Sequence, residues 1–248
     1  MRLFAALTAV MAAAALAALP ACKPDSPAPS APPRENSAVP QREASGRPTL
    51  MLLTTLPLMF GESFALEGNG SPALEALETR YAVRPVAVTD ARTLAQGKLL
   101  LMAHPQAQPA EALVDLDAWV RRGGRLLLLA DPALDWPSEL PLGDSRRPPP
   151  AFADTGLLQH WGLRLDAPDQ RGPMQRRVGG HDILTASPGA LIGKCAIGSD
   201  RAVARCRIGR GRVTVVADAD FLNVEHLDGP TEHNLAALLA ELAALEQR

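Results

Sequence analysis

The sequence has few aromatic residues and almost no net charge. Phe, Trp and Tyr make up 4% of the 248 residues, so we expect a core built mainly from Leu, Val and Ala side chains. The formal net charge is −2 at pH 7, which provides no basic surface for a polyanion. We therefore expect no nucleic-acid partner.

Cysteine is also scarce, with three residues in the chain. Cys22 lies near the start, and Cys195 and Cys206 flank AIGSDRAVAR, which contains the turn signal Gly198-Ser199-Asp200. A lone pair of cysteines is too few for a structural zinc site. In an oxidising compartment the pair predicts a disulfide between hairpin strands, with two buried free thiols as the alternative.

Motifs of common enzyme chemistry are missing. No Gly-x-Gly-x-x-Gly follows the first predicted strand, which reads LLTTLPLMFGES, so the sequence predicts no dinucleotide cradle. It also contains no Gly-x-Ser-x-Gly elbow and hence no obvious serine nucleophile. We predict no cofactor, no resident metal and no enzymatic activity.

The first residues have the pattern of a secretory leader. Arg2 precedes LFAALTAVMAAAALAALPAC, an apolar stretch with a small-residue exit, which predicts a signal peptide over 1–21. The exit Leu19-Pro20-Ala21-Cys22 resembles the bacterial lipobox. That resemblance implies cleavage before Cys22 and acylation of Cys22, including palmitate. The alternative is an ordinary signal peptide cut nearby.

A polar segment follows Cys22. Residues 23–48 are rich in Pro, Ser and Ala and bury too little apolar surface to fold. We predict a lipidated cysteine and a disordered tether over 22–48, then one folded domain over 49–248. By resemblance to enteric lipoproteins, Lys23 in place of Asp slightly favours the outer membrane of a bacterial envelope, with the domain facing the periplasm. No later segment is apolar enough to span a membrane.

Strands and helices alternate in the first half of the domain. Strands that are apolar on both faces belong to a parallel sheet covered by helices on two sides. The sequence therefore predicts a doubly wound α/β fold of the flavodoxin or Rossmann kind, mostly parallel, with a C-terminal antiparallel hairpin. The predicted strands are 49–54, 84–89, 97–103, 125–130 and three consecutive strands within 196–218, and the predicted helices are 71–81, 109–124 and 231–245, the last with Thr231 as N-cap.

Polar residues follow several predicted strands at their carboxyl ends, where ligands bind in such sheets. They are His104, Asp131, Asp218, Asp220 and Asn223. One hypothesis is a strand-end binding site in which these side chains converge on a cation or act as acid and base. The favoured interpretation is structural capping, with Asp131 as N-cap of a helix that begins at Pro132.

Three segments resemble a known family. LDAWVRRGGRLLLLADPAL, together with GRGRVTVVADADFLNVE and HNLAALLAELAAL, resembles the periplasmic domain of gliding-motility-type ABC-transporter auxiliary proteins. That family is similar in fold to class I glutamine amidotransferase domains, whose nucleophilic cysteine follows a strand like 126–130. Here Asp131-Pro132 occupies that position, so the resemblance implies a non-catalytic relative.

The resemblance and the lipobox together imply a function. We expect a non-catalytic envelope lipoprotein that acts as an auxiliary or binding component of an ABC-type transport system. Its expected partners are the membrane, through the lipid anchor, and transporter subunits or another envelope protein. Two alternatives stay open. One is a metal-dependent hydrolase that uses His104, Asp131, Asp218 and Asp220; the other is a small-ligand-binding lipoprotein.

Overall fold

The computed structural model describes residues 46–59 and 70–247. These residues lie within one compact unit, Arg42–Arg248. The predicted signal peptide, Cys22 and the tether as far as residue 45 lie outside the described residues, so the predictions made for them stay predictions.

The first half of the domain alternates strands and helices, as predicted. The first helix begins where the Ser71 hydroxyl accepts a hydrogen bond from the amide of Leu74 at 3.2 Å, with Pro72 at the first helical position, a combination that favours a helix start. The elements are β1 Thr49–Thr54, α1 Pro72–Arg80, β2 Ala82–Pro85, α2 Ala91–Leu94, β3 Leu99–Ala103, α3 Ala110–Arg121 and β4 Arg125–Leu129.

Two features of this half differ from the sequence prediction. The strand predicted over 84–89 lies at Ala82–Pro85, because β2 pairs with β1 only over those four residues and the chain then turns away. The short helix α2 was not predicted, since four residues cannot show a helical period. Asp90 caps it, and its carboxylate accepts a hydrogen bond from the Thr93 amide at 2.7 Å.

Short elements dominate the second half. A four-residue helix leads into a strand within 155–166, and the last three strands follow one another along the chain, as predicted. The elements are α4 Leu157–His160, β5 Leu163–Asp166, β6 Pro173–Val178, β7 His181–Ala186, β8 Ala190–Gly193, β9 Ala196–Ile197, β10 Val203–Ile208, β11 Gly211–Val216, a 3₁₀ turn Asp220–Leu222 and α5 Asn234–Glu246.

The main sheet has seven strands in the order β2-β1-β3-β4-β11-β10-β9. Neighbours from β2 to β11 pair in parallel, and β11, β10 and β9 pair antiparallel. Two small antiparallel sheets, β5-β8 and β6-β7, lie beside it. The predicted α/β fold with a C-terminal antiparallel hairpin is confirmed.

The core has two apolar layers, one on each face of the sheet. On one face, Leu77 of α1 and Leu242 of α5 belong to the same buried cluster, whereas Leu116 of α3 and Leu158 of α4 belong to the cluster on the other. Helices thus cover both faces, as expected for strands that are apolar on two sides. Within the described part of the chain, we find no helix with the length and apolarity needed to cross a bilayer.

The structure contains the predicted disulfide between Cys195 and Cys206, whose Cα atoms are 4.9 Å apart. Pairing of Ala196 in β9 with Arg205 in β10 places the two cysteines next in register. The turn at 198–200 joins these strands, so the bond closes the predicted hairpin.

Two predicted helix caps are wrong. No helix follows Asp131, because Pro132 leads into an irregular loop that runs to α4. Helix α5 begins at Asn234 rather than after Thr231, and His233 occupies its N-cap position without a side-chain hydrogen bond. The Asp131 carboxylate instead accepts from the amide of Ala133 in the next turn and from that of Ala219, 88 residues away. Asn234, the first residue of α5, bonds to Leu184, 50 residues away.

Candidate functional site

Three carboxylates meet at the carboxyl ends of β4 and β11. Asp131 follows β4, and Asp218 and Asp220 follow β11. Because β4 and β11 are parallel neighbours, with Leu129 opposite Val216, their ends lie side by side. One oxygen from each carboxylate lies within 4.8 Å of the others, and all three residues are buried. We call Asp131, Asp218 and Asp220 the acidic triad.

Backbone amides hold the triad in place. The Asp131 carboxylate accepts hydrogen bonds from the Ala133 amide at 2.8 Å and from the Ala219 amide at 2.9 Å. Both oxygens of Asp220 accept from the Asp135 amide, at 2.9 and 3.0 Å. The triad therefore ties the loop after β4 to the loop after β11.

Asp218 is the least satisfied member of the triad. One of its oxygens accepts a hydrogen bond from the Phe221 amide at 3.1 Å, whereas Oδ2 is buried without a partner. The buried hydroxyl of Thr185 on β7 is close enough to Asp218 to act as a hydrogen-bond donor, which lowers the pKa of that carboxyl, but no contact of Thr185 Oγ1 has the distance and angle of a full hydrogen bond. Oγ1 of Thr185 and Oδ2 of Asp218 are therefore both buried without a well-formed hydrogen bond.

Burial and mutual repulsion favour the protonated forms of the triad. Burial raises the pKa of Asp131 to about 6. Burial, and then the charges of Asp131 and Asp218, raise the pKa of Asp220 to about 9. Burial and the charge of Asp131 also raise the pKa of Asp218, while the Arg176 guanidinium acts in the opposite direction. Such shifts mark carboxylates that are costly to ionise in this environment.

His104 does not join the triad. Its ring is fully buried, and Nε2 lies 2.8 Å from the carbonyl oxygen of Pro149, whereas Nδ1 has no partner. Burial lowers the pKa of His104, so the ring is neutral and Nε2 donates to Pro149. The backbone at His104 has a φ of 45°, the left-handed conformation that lets the chain turn sharply after β3.

Asn223 instead belongs to a pocket of about 400 Å³ at this edge of the sheet. Its side-chain oxygen lies 2.9 Å from Nδ1 of His226. Sequence reasoning missed this pocket, since its walls come from loops after different strands and from the start of α1. We call it the strand-end pocket; its lining includes Pro57, Ser71, Trp136, Glu139, Asn223, Glu225 and His226.

The glycines of the family-like motif have a packing role. A Cβ at Gly211 would lie 1.9 Å from the carbonyl oxygen of Val120 at the end of α3. A Cβ at Gly209, where φ is +59°, would lie 2.8 Å from the carbonyl oxygen of Arg121. The turn between β10 and β11 thus packs directly on the backbone of α3, which only glycine permits.

Asn234, in the family-like segment of the closing helix, has a structural role. The residue is fully buried. Its amide oxygen accepts from the Leu184 amide at 3.0 Å, and its amide nitrogen donates to the carbonyl oxygens of Leu184 and Phe221, each at 2.8 Å. It therefore connects α5 to β7 and to the 3₁₀ turn that begins at Asp220.

Comparison with known proteins bears on the first half of the domain. Residues 47–168 match the model of a family described as an ABC-type uncharacterized transport system. This part of the chain is similar to the ABC transporter auxiliary family. The match covers just under half of the chain and extends from β1 to β5, so it includes Asp131 and the loop that carries Trp136. The predicted resemblance is confirmed.

One solved domain shares the fold at low sequence identity, and two enzymes are similar with TM-scores under 0.5. The mmIFT52 N-terminal domain is 15% identical, with a TM-score of 0.51, over 81% of this chain and 98% of that domain. The exo-beta-1,4-mannosidase Op5Man5 from Opitutaceae bacterium strain TAV5 is 14% identical over 80% of this chain, with a TM-score of 0.49. A beta-galactosidase from Bacillus circulans sp. alkalophilus is 13% identical over the same share, with a TM-score of 0.45.

These similarities concern fold alone. The chain covers 36% of the mannosidase and 31% of the beta-galactosidase, so it spans about a third of the length of each enzyme. No curated protein matches the chain.

Proposed function

We propose that this protein is a non-catalytic binding component of an ABC-type transport system, anchored to the bacterial envelope by a lipid on Cys22. The observation that supports it most is the family match over 47–168. The matched segment supplies β1, β3, β4 and the loop after β4, which are the elements that form this edge of the sheet.

The burial of the predicted site residues supports a non-catalytic role. None of His104, Asp131, Asp218, Asp220 and Asn223 is more than 6% exposed, and backbone amides already occupy oxygens of the three aspartates. A hydrolase needs its acid and base within hydrogen-bond reach of a substrate. The histidine and the three aspartates offer no such access.

The strand-end pocket is the surface we assign to binding. Trp136 is half-buried against the core, so it offers a rigid aromatic wall, and tryptophan is a common anchor in interfaces. Glu139 and Glu225 contribute carboxylates, and His226 is exposed. We propose that a transporter subunit inserts a segment with apolar and basic side chains here.

Affinity purification tests this proposal. The tagged full-length protein is purified from detergent-solubilised envelopes, and mass spectrometry identifies what accompanies it. We expect permease and ATPase subunits. Glu225→Lys should lower their recovery about tenfold, because it places like charges together in the interface.

The matched control is Glu232→Lys, which reverses another exposed charge outside the pocket and should leave recovery unchanged. A wild-type preparation without transporter subunits would contradict the proposal. Equal losses in the two variants would contradict the assigned pocket.

A small-ligand-binding lipoprotein is the second candidate, because a pocket of about 400 Å³ lies within the ~300–1,000 Å³ of small-molecule sites. Compounds that raise the melting temperature of the wild-type protein, but not of a variant with Glu225→Lys, would favour it over protein docking.

The lipid anchor makes a separate prediction. Cys22→Ala should abolish incorporation of labelled palmitate and move the protein from the membrane fraction to the soluble fraction, because the thiol that carries the lipid is lost. Cys195→Ala, which removes a cysteine of the folded domain, should still be labelled. Labelling of the Cys22→Ala protein equal to wild type would refute the lipobox interpretation.

A further inference from the structure

We infer that the acidic triad, with the hydroxyl of Thr185, binds one Ca²⁺ ion between the ends of β4 and β11. This inference goes beyond the proposed function and does not rest on it. The inference depends on the spacing of the oxygens, on the unpaired atoms beside them and on the local charge.

The oxygens have the spacing of a calcium site. Ca²⁺ prefers oxygen ligands at about 2.3–2.6 Å, so ligands on opposite sides of the ion lie roughly 5 Å apart. The triad oxygens lie within 4.8 Å of one another. Each carboxylate has about four lone-pair sites, so the hydrogen bonds with backbone amides leave capacity for a cation.

Two buried oxygens at the site, one of them outside the triad, lack a hydrogen-bond partner. Thr185 is fully buried on β7, and its hydroxyl has no partner; neither has Oδ2 of Asp218. Leaving one buried polar atom unpaired costs about 1–3 kcal/mol, so two beside each other need a physical explanation. A cation between them would coordinate both oxygens.

The charges around the site also favour a cation. The triad brings three acidic groups together, and Asp135 adds a fourth carboxylate whose charge acts on Asp131 and Asp220. The Arg176 guanidinium lowers the pKa of Asp218, but burial and the charge of Asp131 outweigh it. A divalent ion would offset the repulsion and allow the triad to ionise.

The position of the site suggests what the ion would do. Asp220 accepts both of its hydrogen bonds from the amide of Asp135, which directly precedes Trp136 in the wall of the strand-end pocket. An ion that holds Asp220 in place would therefore stabilise the loop on which the pocket depends. Because the site is buried, we assign it a structural role.

Calorimetry and thermal unfolding test the inference on the full-length protein, solubilised in detergent and freed of metal with a chelator. We expect Ca²⁺ to bind with a stoichiometry of one. At a concentration about 100 times the dissociation constant, it should raise the melting temperature by about 5 °C or more. Asp218→Asn, which keeps the shape of the side chain, should abolish both effects.

Thr185→Val tests whether the hydroxyl coordinates the ion without disturbing the fold. The substitution keeps the shape of a side chain that makes no hydrogen bond, so we expect normal folding and about tenfold weaker Ca²⁺ binding. The control Asp182→Asn removes an exposed carboxylate from the same strand and should leave the affinity unchanged.

Two results would overturn the inference. One is the absence of heat and of a thermal shift with Ca²⁺ up to about 10 mM, which exceeds the range of weak calcium sites. The other is a response to Mg²⁺ or Zn²⁺ without a response to Ca²⁺, which would refute the assignment of the ion.

Discussion

Replacing Asn234 with Ala should lower the free energy of unfolding by about 3–4 kcal/mol. The side chain makes three buried hydrogen bonds, two with Leu184 and one with Phe221. Its loss leaves one amide and two carbonyl groups unpaired in the core, and each unpaired group costs roughly 1–3 kcal/mol before relaxation. Urea denaturation followed by circular dichroism measures the change, with an unchanged m-value as evidence of a common unfolding transition.

Thr231→Ala is the control for this prediction. Thr231 has the residue type of an N-cap, but α5 begins three residues later, and its hydroxyl makes only a long contact of 3.5 Å with the carbonyl oxygen of Val224. We expect a change within about 0.5 kcal/mol. A loss below about 1 kcal/mol for Asn234→Ala, or an equal loss for Thr231→Ala, would contradict the assigned role of Asn234.

Raising the pH from 7 to 9 should destabilise the metal-free protein by about 2–3 kcal/mol. The folded state holds the pKa of Asp220 at about 9, whereas an aspartate in the unfolded chain is fully ionised above pH 7. The folded state therefore binds more protons, and stability falls by about 1.4 kcal/mol per pH unit for each extra proton. Burial of Asp218 acts in the same direction.

Between pH 7 and 9, the effect of these carboxylates on stability can be distinguished from that of His104. Burial lowers the pKa of His104, so the unfolded chain binds the extra proton near its ordinary pKa of about 6.5, and this group makes stability rise with pH below 7. Above pH 7 the ring is neutral in both states. The decline from pH 7 to 9 therefore reports the triad and not the histidine.

Urea denaturation at pH 7, 8 and 9 in the presence of chelator measures this dependence. Asp220→Asn should flatten the curve, since it removes the carboxyl whose pKa is raised to about 9. Stability that stays constant or rises between pH 7 and 9 would contradict the raised pKa values.

Local sequence patterns predicted those parts of the fold that depend on local physics. β1 lies at 49–54 as predicted, because its side chains are apolar on both faces. The start of α1 follows from Ser71 and Pro72 alone. The disulfide follows from two cysteines on either side of a turn signal.

Features that depend on distant contacts could not be predicted. One hydrogen-bond donor to Asp131 is the amide of Ala219, 88 residues away, and Asn234 bonds to Leu184, 50 residues away. Asp131 and Thr231 are residue types that favour helix N-caps, but no helix begins directly after either residue. Trp136 and Asn223 meet in one pocket only because β4 and β11 are neighbours in the sheet.

Site-specific photo-crosslinking in living cells tests the central claim most directly. A photoreactive amino acid at Ser138, in the strand-end pocket, should form crosslinks with a subunit of an ABC transporter. The same amino acid at Lys98, which is exposed just before β3 and so at the opposite end of the strands, should form none. Crosslinks from Ser138 that never include a transporter subunit, in cells that express the transporter, would contradict the account.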